Sequence, residues 1–133
     1  MKKLTLLLAV FNILLPALGS AEWVKVISDT DENVFYVDFE KIRKDDGYIN
    51  YWYLTDLLKP TNTGYLSAKV YVQGDCKLLR FKPFSASFHK KPMGNGLGHI
   101  RKPQADLKNW QYPLPGSASE FLLKAACVNA EKM

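Results

Sequence analysis

Two cysteines, Cys76 and Cys127, constrain the fold of this 133-residue chain more than any other feature of its sequence. They are its only cysteines, so in an oxidising compartment we expect them to form one disulfide. The bridge would close a loop of about 50 residues, for which chain-entropy estimates give roughly 4 kcal/mol of stabilisation. The alternative is a reactive thiol or a metal-binding pair. However, the sequence has no CxxC spacing, and neither histidine is close to a cysteine along the chain.

The beginning of the chain predicts export to such a compartment. Lys2 and Lys3 precede a nearly continuous apolar run at 4–18, and Gly19-Ser20-Ala21 then supplies the small residues of a cleavage site. The run is shorter than the roughly 20 residues of a membrane span, which favours a cleaved signal peptide over an uncleaved anchor. We therefore expect a signal peptide at 1–21 and a single domain at 22–133. Because the cleavage site has no lipid-accepting cysteine, a periplasmic or secreted protein is expected.

Composition and charge limit the classes of partner. Hydrophobic residues make up 47% of the chain, which is typical of one globular domain at this length. Loss of Lys2 and Lys3 lowers the formal net charge from +5 to +3, too weak a charge to indicate a nucleic-acid partner. No second apolar stretch is long enough to cross a membrane, so we expect no transmembrane segment after cleavage.

Short alternating segments predict an antiparallel sheet. The strands are expected at 23–27, 34–38, 48–58, 65–73 and 76–88, with a last short strand at 110–112. The segment 65–73 alternates most cleanly, with one apolar face and an opposite face that carries Tyr65 and Tyr71. Pro83 indicates an edge position or a bulge. Asp38 is expected to cap a short helical turn at 39–44.

The C-terminal segment has a different period. Ser117 and Glu120 have the spacing of a capping box, and residues 121–130 follow as a good helix sequence. Cys127 lies in the middle of this helix. A disulfide to Cys76 would therefore fasten the helix onto the strand that begins there.

The order of several motifs resembles the surface-adhesin protein E-like family of Gram-negative bacteria. The motifs are Trp23, Tyr36-Val37-Asp38, Ile42, Trp52-x-Leu54-x-Asp56, Ser67-x-Lys69, Asp75-Cys76, Arg80, Met93-Gly94-x-Gly96, Trp110, Pro115-Gly116-Ser117 and Cys127. The resemblance implies an α+β fold, a curved antiparallel sheet of about six strands with the C-terminal helix packed on its concave face and tied by the disulfide. It also implies an envelope or surface protein, since the name-giving members attach to host matrix and serum proteins.

Basic and aromatic residues are the candidates for partner binding. Residues 77–105 contain no acid, and their cations could meet acidic glycans, lipid phosphates or an acidic protein; the alternative is a solvated loop. Tyr65 and Tyr71 are the best candidates for a partner contact or a homodimer through the sheet. The predicted partner-binding residues are Tyr65, Tyr71, Arg80, Lys82, Lys90, Lys91, Arg101 and Lys102.

No motif predicts catalysis. The glycines of 94–98 lack the Gly-Lys-Ser/Thr of a phosphate-binding loop, and two histidines, His89 and His99, are too few for a zinc site. We therefore expect no enzyme activity, cofactor or metal. The predicted function is that of an exported, non-enzymatic binding protein of the cell envelope, resembling adhesins. The alternative is a small periplasmic inhibitor or accessory protein that acts on an enzyme or an envelope assembly.

Overall fold

The computed structural model describes residues 21–104 and 109–133, so the predicted signal peptide, apart from Ala21, lies outside the described residues. Within these ranges no helix is long and apolar enough to span a membrane. The elements are β1 (Trp23–Ser28), β2 (Val34–Asp38), a 3₁₀ turn (Phe39–Lys41), β3 (Arg43–Asp45), β4 (Tyr48–Asp56), β5 (Ser67–Asp75), β6 (Arg80–His89), a second 3₁₀ turn (Pro92–Gly94), β7 (Gly98–Arg101) and α1 (Ala118–Glu131).

The strands form one antiparallel sheet in the order β1-β2-β4-β5-β6-β7. The short strand β3 pairs with the first residues of β4, on the same edge of β4 as β2. This confirms the α+β fold, with seven strands instead of about six. Two of the seven, β3 and β7, were not among the expected strands, and β3 forms because the predicted helical turn at 39–44 ends at Lys41. Asp46 and Gly47 both have positive φ, as a two-residue hairpin requires, so Arg43–Asp45 folds back as β3. Asp38 precedes the 3₁₀ turn, but its side chain makes no cap hydrogen bond.

The register of β4 and β5 defines the two faces of the sheet. Residues directly opposite each other in an antiparallel pair share a face, so Tyr51 and Val72 lie on one side while Trp52 and Tyr71 lie on the other. Tyr51 and Val72 belong to the hydrophobic core together with residues of α1. We call this side the helix face and the opposite side the open face.

Helix α1 begins as the sequence predicts. The Ser117 hydroxyl accepts a hydrogen bond from Glu120 N, and the Glu120 carboxylate in turn accepts one from Gly116 N. Its buried residues, which face the sheet, are Leu122, Leu123, Ala126, Cys127 and Ala130. The helix packs on β1, β2, β4 and the end of β5 at Gly74, and it therefore covers only one part of the helix face.

The disulfide joins Cys76 to Cys127 as expected, with 5.7 Å between the Cα atoms. Its attachment point differs from the prediction, because Cys76 lies in the turn between β5 and β6 and β6 begins only at Arg80. Asp75 shapes this turn, since its carboxylate accepts hydrogen bonds from Lys77 N and Leu78 N. A carboxylate that bonds backbone N–H groups two and three residues later favours a turn over a continuing strand.

The last predicted strand, 110–112, is reduced to a single bridge. Gln111 and Phe81 exchange two backbone hydrogen bonds of 2.9 and 2.7 Å. Pro113 follows immediately and has no N–H to extend the ladder.

Gly74 allows α1 to lie close to the sheet. A Cβ at this position would be 2.9 Å from Leu123 Cδ1 and 3.1 Å from Tyr51 Cε1. Both neighbours are buried, so neither can move into solvent. The absence of a side chain at residue 74 therefore sets the distance between helix and strand.

We expect Gly74→Ala to lower the free energy of unfolding by roughly 1–3 kcal/mol, because the added methyl group overpacks the core. Leu123→Val removes the atom that the methyl group would meet, so Gly74→Ala should cost less in that background. Chemical denaturation of the four proteins of this cycle measures the coupling. Strictly additive costs would show that Leu123 does not limit the approach.

Candidate functional site

A row of aromatic side chains crosses the open face. Trp52 on β4 and Tyr71 on β5 are cross-strand partners with ring centroids 4.8 Å apart, and the ring of Phe84 on β6 lies 5.7 Å from that of Tyr71. Phe84 is 39% exposed. We call these three residues the aromatic row.

A bulge gives Phe84 its position. Tyr71 pairs with Ser85 and Val72 pairs with Pro83, so Phe84 is the extra residue between the two pairs. Proline cannot donate a ladder hydrogen bond, and the bulge confirms the prediction from Pro83. The bulge thus brings a third ring beside Tyr71.

Lysines accompany the aromatic row on the same strands. The register of β4, β5 and β6 places Lys69 and Lys82 on the open face. The two acids that β4 and β5 place on this face, Asp56 and Asp75, are both engaged. Asp56 accepts a 2.8 Å hydrogen bond from Met93 N, and Asp75 accepts one of 2.8 Å from Arg80 Nε. Arg80 balances the charge of Asp75, and Lys69 and Lys82 outnumber Asp56, so the net charge of these residues along the row is positive.

Arg80 and Lys82, predicted as partner-binding residues, are both engaged within the protein. The Arg80 guanidinium and the Lys82 ammonium lie 4.4 and 4.6 Å from the ring centroid of Trp110. Arg80 also forms an ion pair with Asp75. Burial opposes the charged form of Asp75, but the hydrogen bond from Arg80 and those from backbone N–H groups outweigh it and hold the pKa of Asp75 below its usual value. Arg80 thus stabilises the β5–β6 turn.

The other four predicted cations are exposed at the β7 edge of the sheet. Lys90 and Lys91 follow β6, while Arg101 and Lys102 lie at the end of β7. We call Lys90, Lys91, Arg101 and Lys102 the edge cations. They surround an anchored loop, because the Ser67 hydroxyl donates to Lys91 O at 2.6 Å and accepts from Gly94 N at 2.8 Å.

The two histidines differ in burial and in the groups that they contact. His89 is buried and lies 2.8 Å from the Ser87 hydroxyl and 3.3 Å from the carbonyl oxygen of Gly96. His99 is exposed, and its ring packs against Tyr65 with centroids 5.6 Å apart. Among residues 21–104 and 109–133, no group of three or more His, Cys, Asp or Glu side chains could hold a metal ion.

Tyr65 and Tyr71 do not share a face, contrary to the sequence prediction. β5 begins only at Ser67, and Tyr65 packs against Phe88 with ring centroids 5.6 Å apart. Phe88 pairs with Ala68 and therefore lies on the helix face, opposite Tyr71. The alternation of faces along β5 does not extend back to Tyr65, because the hydrogen bond from Leu66 N to His89 O lies outside the regular β5–β6 ladder. Only Tyr71 remains on the predicted surface.

A groove on the helix face was not predicted. Two adjoining cavities of about 510 and 300 Å³ lie on this face, and Tyr53, Val70 and Phe88 line both. Burial raises the pKa of the Tyr53 phenol to about 12. The alternation of 65–73 indicated an apolar face here. What the sequence did not reveal is that the 14-residue helix, about 21 Å long, leaves the β5–β6 side uncovered.

Comparisons with known proteins agree with this architecture. A family model described as surface-adhesin protein E matches residues 23–128. Crystal form II of Haemophilus influenzae protein E has a TM-score of 0.61 at 16% identity, with 84% of this chain and 91% of that chain covered. A second structure of Haemophilus influenzae protein E has a TM-score of 0.59 at 15% identity, with 86% and 90% covered. Among curated proteins, no sequence matches this chain significantly.

The raised pKa of Tyr53 predicts a loss of folding stability at alkaline pH. Its pKa is raised in the folded protein, so the stability that its neutral phenol contributes is complete below about pH 10 and is lost as the pH rises towards 12. We expect Tyr53→Phe to make the free energy of unfolding fall less steeply over this range. Urea unfolding at successive pH values measures the slope. The two proteins should give parallel curves below about pH 9, and parallel curves above pH 10 would contradict the assignment.

Proposed function

Because the chain belongs to the surface-adhesin protein E family, we propose that it binds host matrix or serum proteins through the open face of its sheet. Family membership supports a surface adhesin and gives no support to the alternative of a periplasmic inhibitor. The observation that carries the proposal is the aromatic row, which is flanked by lysines and presents the exposed ring of Phe84 on the open face.

Export is part of the same proposal. The signal peptide at 1–21 would be removed, and the domain 22–133 would then reach the periplasm or the exterior. Its disulfide and the predicted leader both support an oxidising compartment. The membership of the family likewise implies a surface or exported protein.

The chemistry of the open face suits a protein partner. Tyr, Trp and Phe supply large contact areas with few rotatable bonds, and Tyr and Trp dominate the energetics of many interfaces. The rings of the aromatic row hold each other in place, so little side-chain entropy would be lost on binding. Lys69 and the edge cations would attract an acidic patch or polymer and accelerate the encounter. A homodimer through this face is the competing occupant, and a measurement of mass in solution would reveal it.

Phe84 provides the direct test of the aromatic row. We expect Phe84→Ser to weaken binding of the mature protein to immobilised matrix proteins by about tenfold, which corresponds to about 1.4 kcal/mol, because an exposed anchor ring is removed. The matched control is Phe121→Ser on α1, since Phe121 is 43% exposed and Phe84 is 39% exposed. Surface plasmon resonance measures both variants. Equal losses, or none for Phe84→Ser, would exclude the aromatic row.

The edge cations require a separate test. Replacing Lys90, Lys91, Arg101 and Lys102 with Gln should lower the association rate and flatten its dependence on salt, because exposed charges act by steering. The control replaces four other exposed lysines with Gln and changes the net charge equally: Lys25, Lys44, Lys59 and Lys132. Association rates at low and physiological ionic strength compare the two variants. An unchanged rate in the first variant would remove the edge cations from the proposal.

A further inference from the structure

The carboxylate of Asp38, at the end of β2, lacks an adequate partner. The residue is 1% exposed, yet neither carboxylate oxygen has a hydrogen-bond partner among the described residues. Lys41 Nζ lies 3.8 Å from Asp38 Oδ2, which is beyond hydrogen-bond length. A buried charge without hydrogen bonds is costly, so a further donor is expected at this position.

A cavity of about 200 Å³ on the open face adjoins Asp38. Its lining residues are Ala21, Trp23, Asp38, Lys41, Trp52 and Lys69. Trp23 and Asp38 are direct partners in the β1–β2 pair, so their Cα atoms are about 4.5–5.5 Å apart. Because Ala21 lines the cavity and Trp23 faces Asp38, the bond between residues 21 and 22 lies at the edge of the cavity.

The surroundings of Glu22 carry a local excess of negative charge. The pKa of the Glu40 carboxyl is raised, mainly by the charge of Glu22 and by a hydrogen bond to Glu22. The charge of Asp38 also raises it. Glu22, Asp38 and Glu40 thus lie near one another. Lys41 offsets one of these charges, and a second cation at residue 22 would offset another.

We propose that signal-peptide cleavage between Ala21 and Glu22 creates the missing partner, so that the new α-ammonium of Glu22 binds the carboxylate of Asp38. The inference rests on the proposed export and cleavage. In the cleavage step, water adds to the Ala21 carbonyl carbon and the C–N bond breaks. Ala21 leaves as a carboxylate, and the Glu22 amine takes up a proton. An α-amine has an ordinary pKa of about 7.7–8.0, so most of it is charged at pH 7.

The consequence is a strand whose attachment is completed only after export. Among the strands that the structure describes, β1 lies at the edge of the sheet and pairs with β2 alone. An ion pair between its first residue and Asp38 would fasten β1 at the point where the strand begins. The precursor has an uncharged amide nitrogen at residue 22 and cannot form this pair. We therefore infer that the processed domain is more stable than the same domain with its N-terminus extended.

Export of the full chain in a Gram-negative host provides the first measurement. Mass spectrometry of the purified protein should show a chain that begins at Glu22, and a different first residue would overturn the proposal. A comparison protein carries three uncharged residues, Thr-Gln-Thr, inserted between Ala21 and Glu22, which move the α-ammonium away from Asp38. We expect its Tm to be lower by about 4 °C or more.

Asp38→Asn, made in both proteins, shows whether the difference depends on Asp38. The insertion should then lower the Tm little, whereas the matched control Glu40→Gln, at an exposed carboxyl group, should retain the difference. A difference in Tm that is equally large with and without the Asp38→Asn substitution would overturn the proposal. If Asp38→Asn does not fold, the acetylation rate of the α-amine in the unsubstituted protein decides. It should be at least about tenfold slower folded than in urea, and equal rates would overturn the proposal. These measurements involve no partner, so a failed adhesion test leaves them valid.

Discussion

The disulfide between Cys127 and Cys76 holds α1 against the sheet, and the remaining surfaces of the protein depend on where that helix ends. Cross-linking a loop of this length restricts the unfolded chain, which is a substantial term beside a typical net stability of about 5–15 kcal/mol. Gly74 then permits the close approach of Leu123. A short helix pinned in this way covers β1, β2, β4 and the end of β5 at Gly74, and it leaves the rest of the β5–β6 side as a groove.

Large side chains on the open face pack in two ways: Leu54 is buried against the 3₁₀ turn at Pro92–Gly94, whereas the aromatic rings pack on one another. The rings of Trp52 and Tyr71 pack on each other, and the bulge at Phe84 extends this contact to β6. Each such cross-strand pair contributes about 0.2–1 kcal/mol relative to alanine. The same rings stay accessible from solvent, so one set of residues both stabilises the strands and offers a binding surface.

Local sequence signals predicted the elements well, and non-local pairing accounts for what they missed. The bulge at Pro83, the cap at Ser117 and, from Ser67 onward, the alternation predicted at 65–73 each depend on neighbouring residues, and the structure contains them. Tyr65 was assigned to the wrong face because its partner, Phe88, lies in another strand. Arg80 and Lys82 were predicted as partner-binding cations because Trp110, whose ring contacts both, is distant in sequence.

The positions of these features across the sheet place the N-terminal site far from the edge cations. Asp38 belongs to β2, beside the edge strand β1, whereas the edge cations lie around β7 at the opposite edge. Neighbouring strands are about 4.8 Å apart, so roughly 20 Å separate the two sites, beyond the Debye length of about 8 Å at physiological salt. A change at the N-terminus should therefore have little effect on the edge cations, whereas Trp52 and Lys69 line the same cavity as Asp38 and lie next to that change. The aromatic row lies on β4, β5 and β6, between the two sites. Loss of β1 would therefore affect the binding surface through the aromatic row.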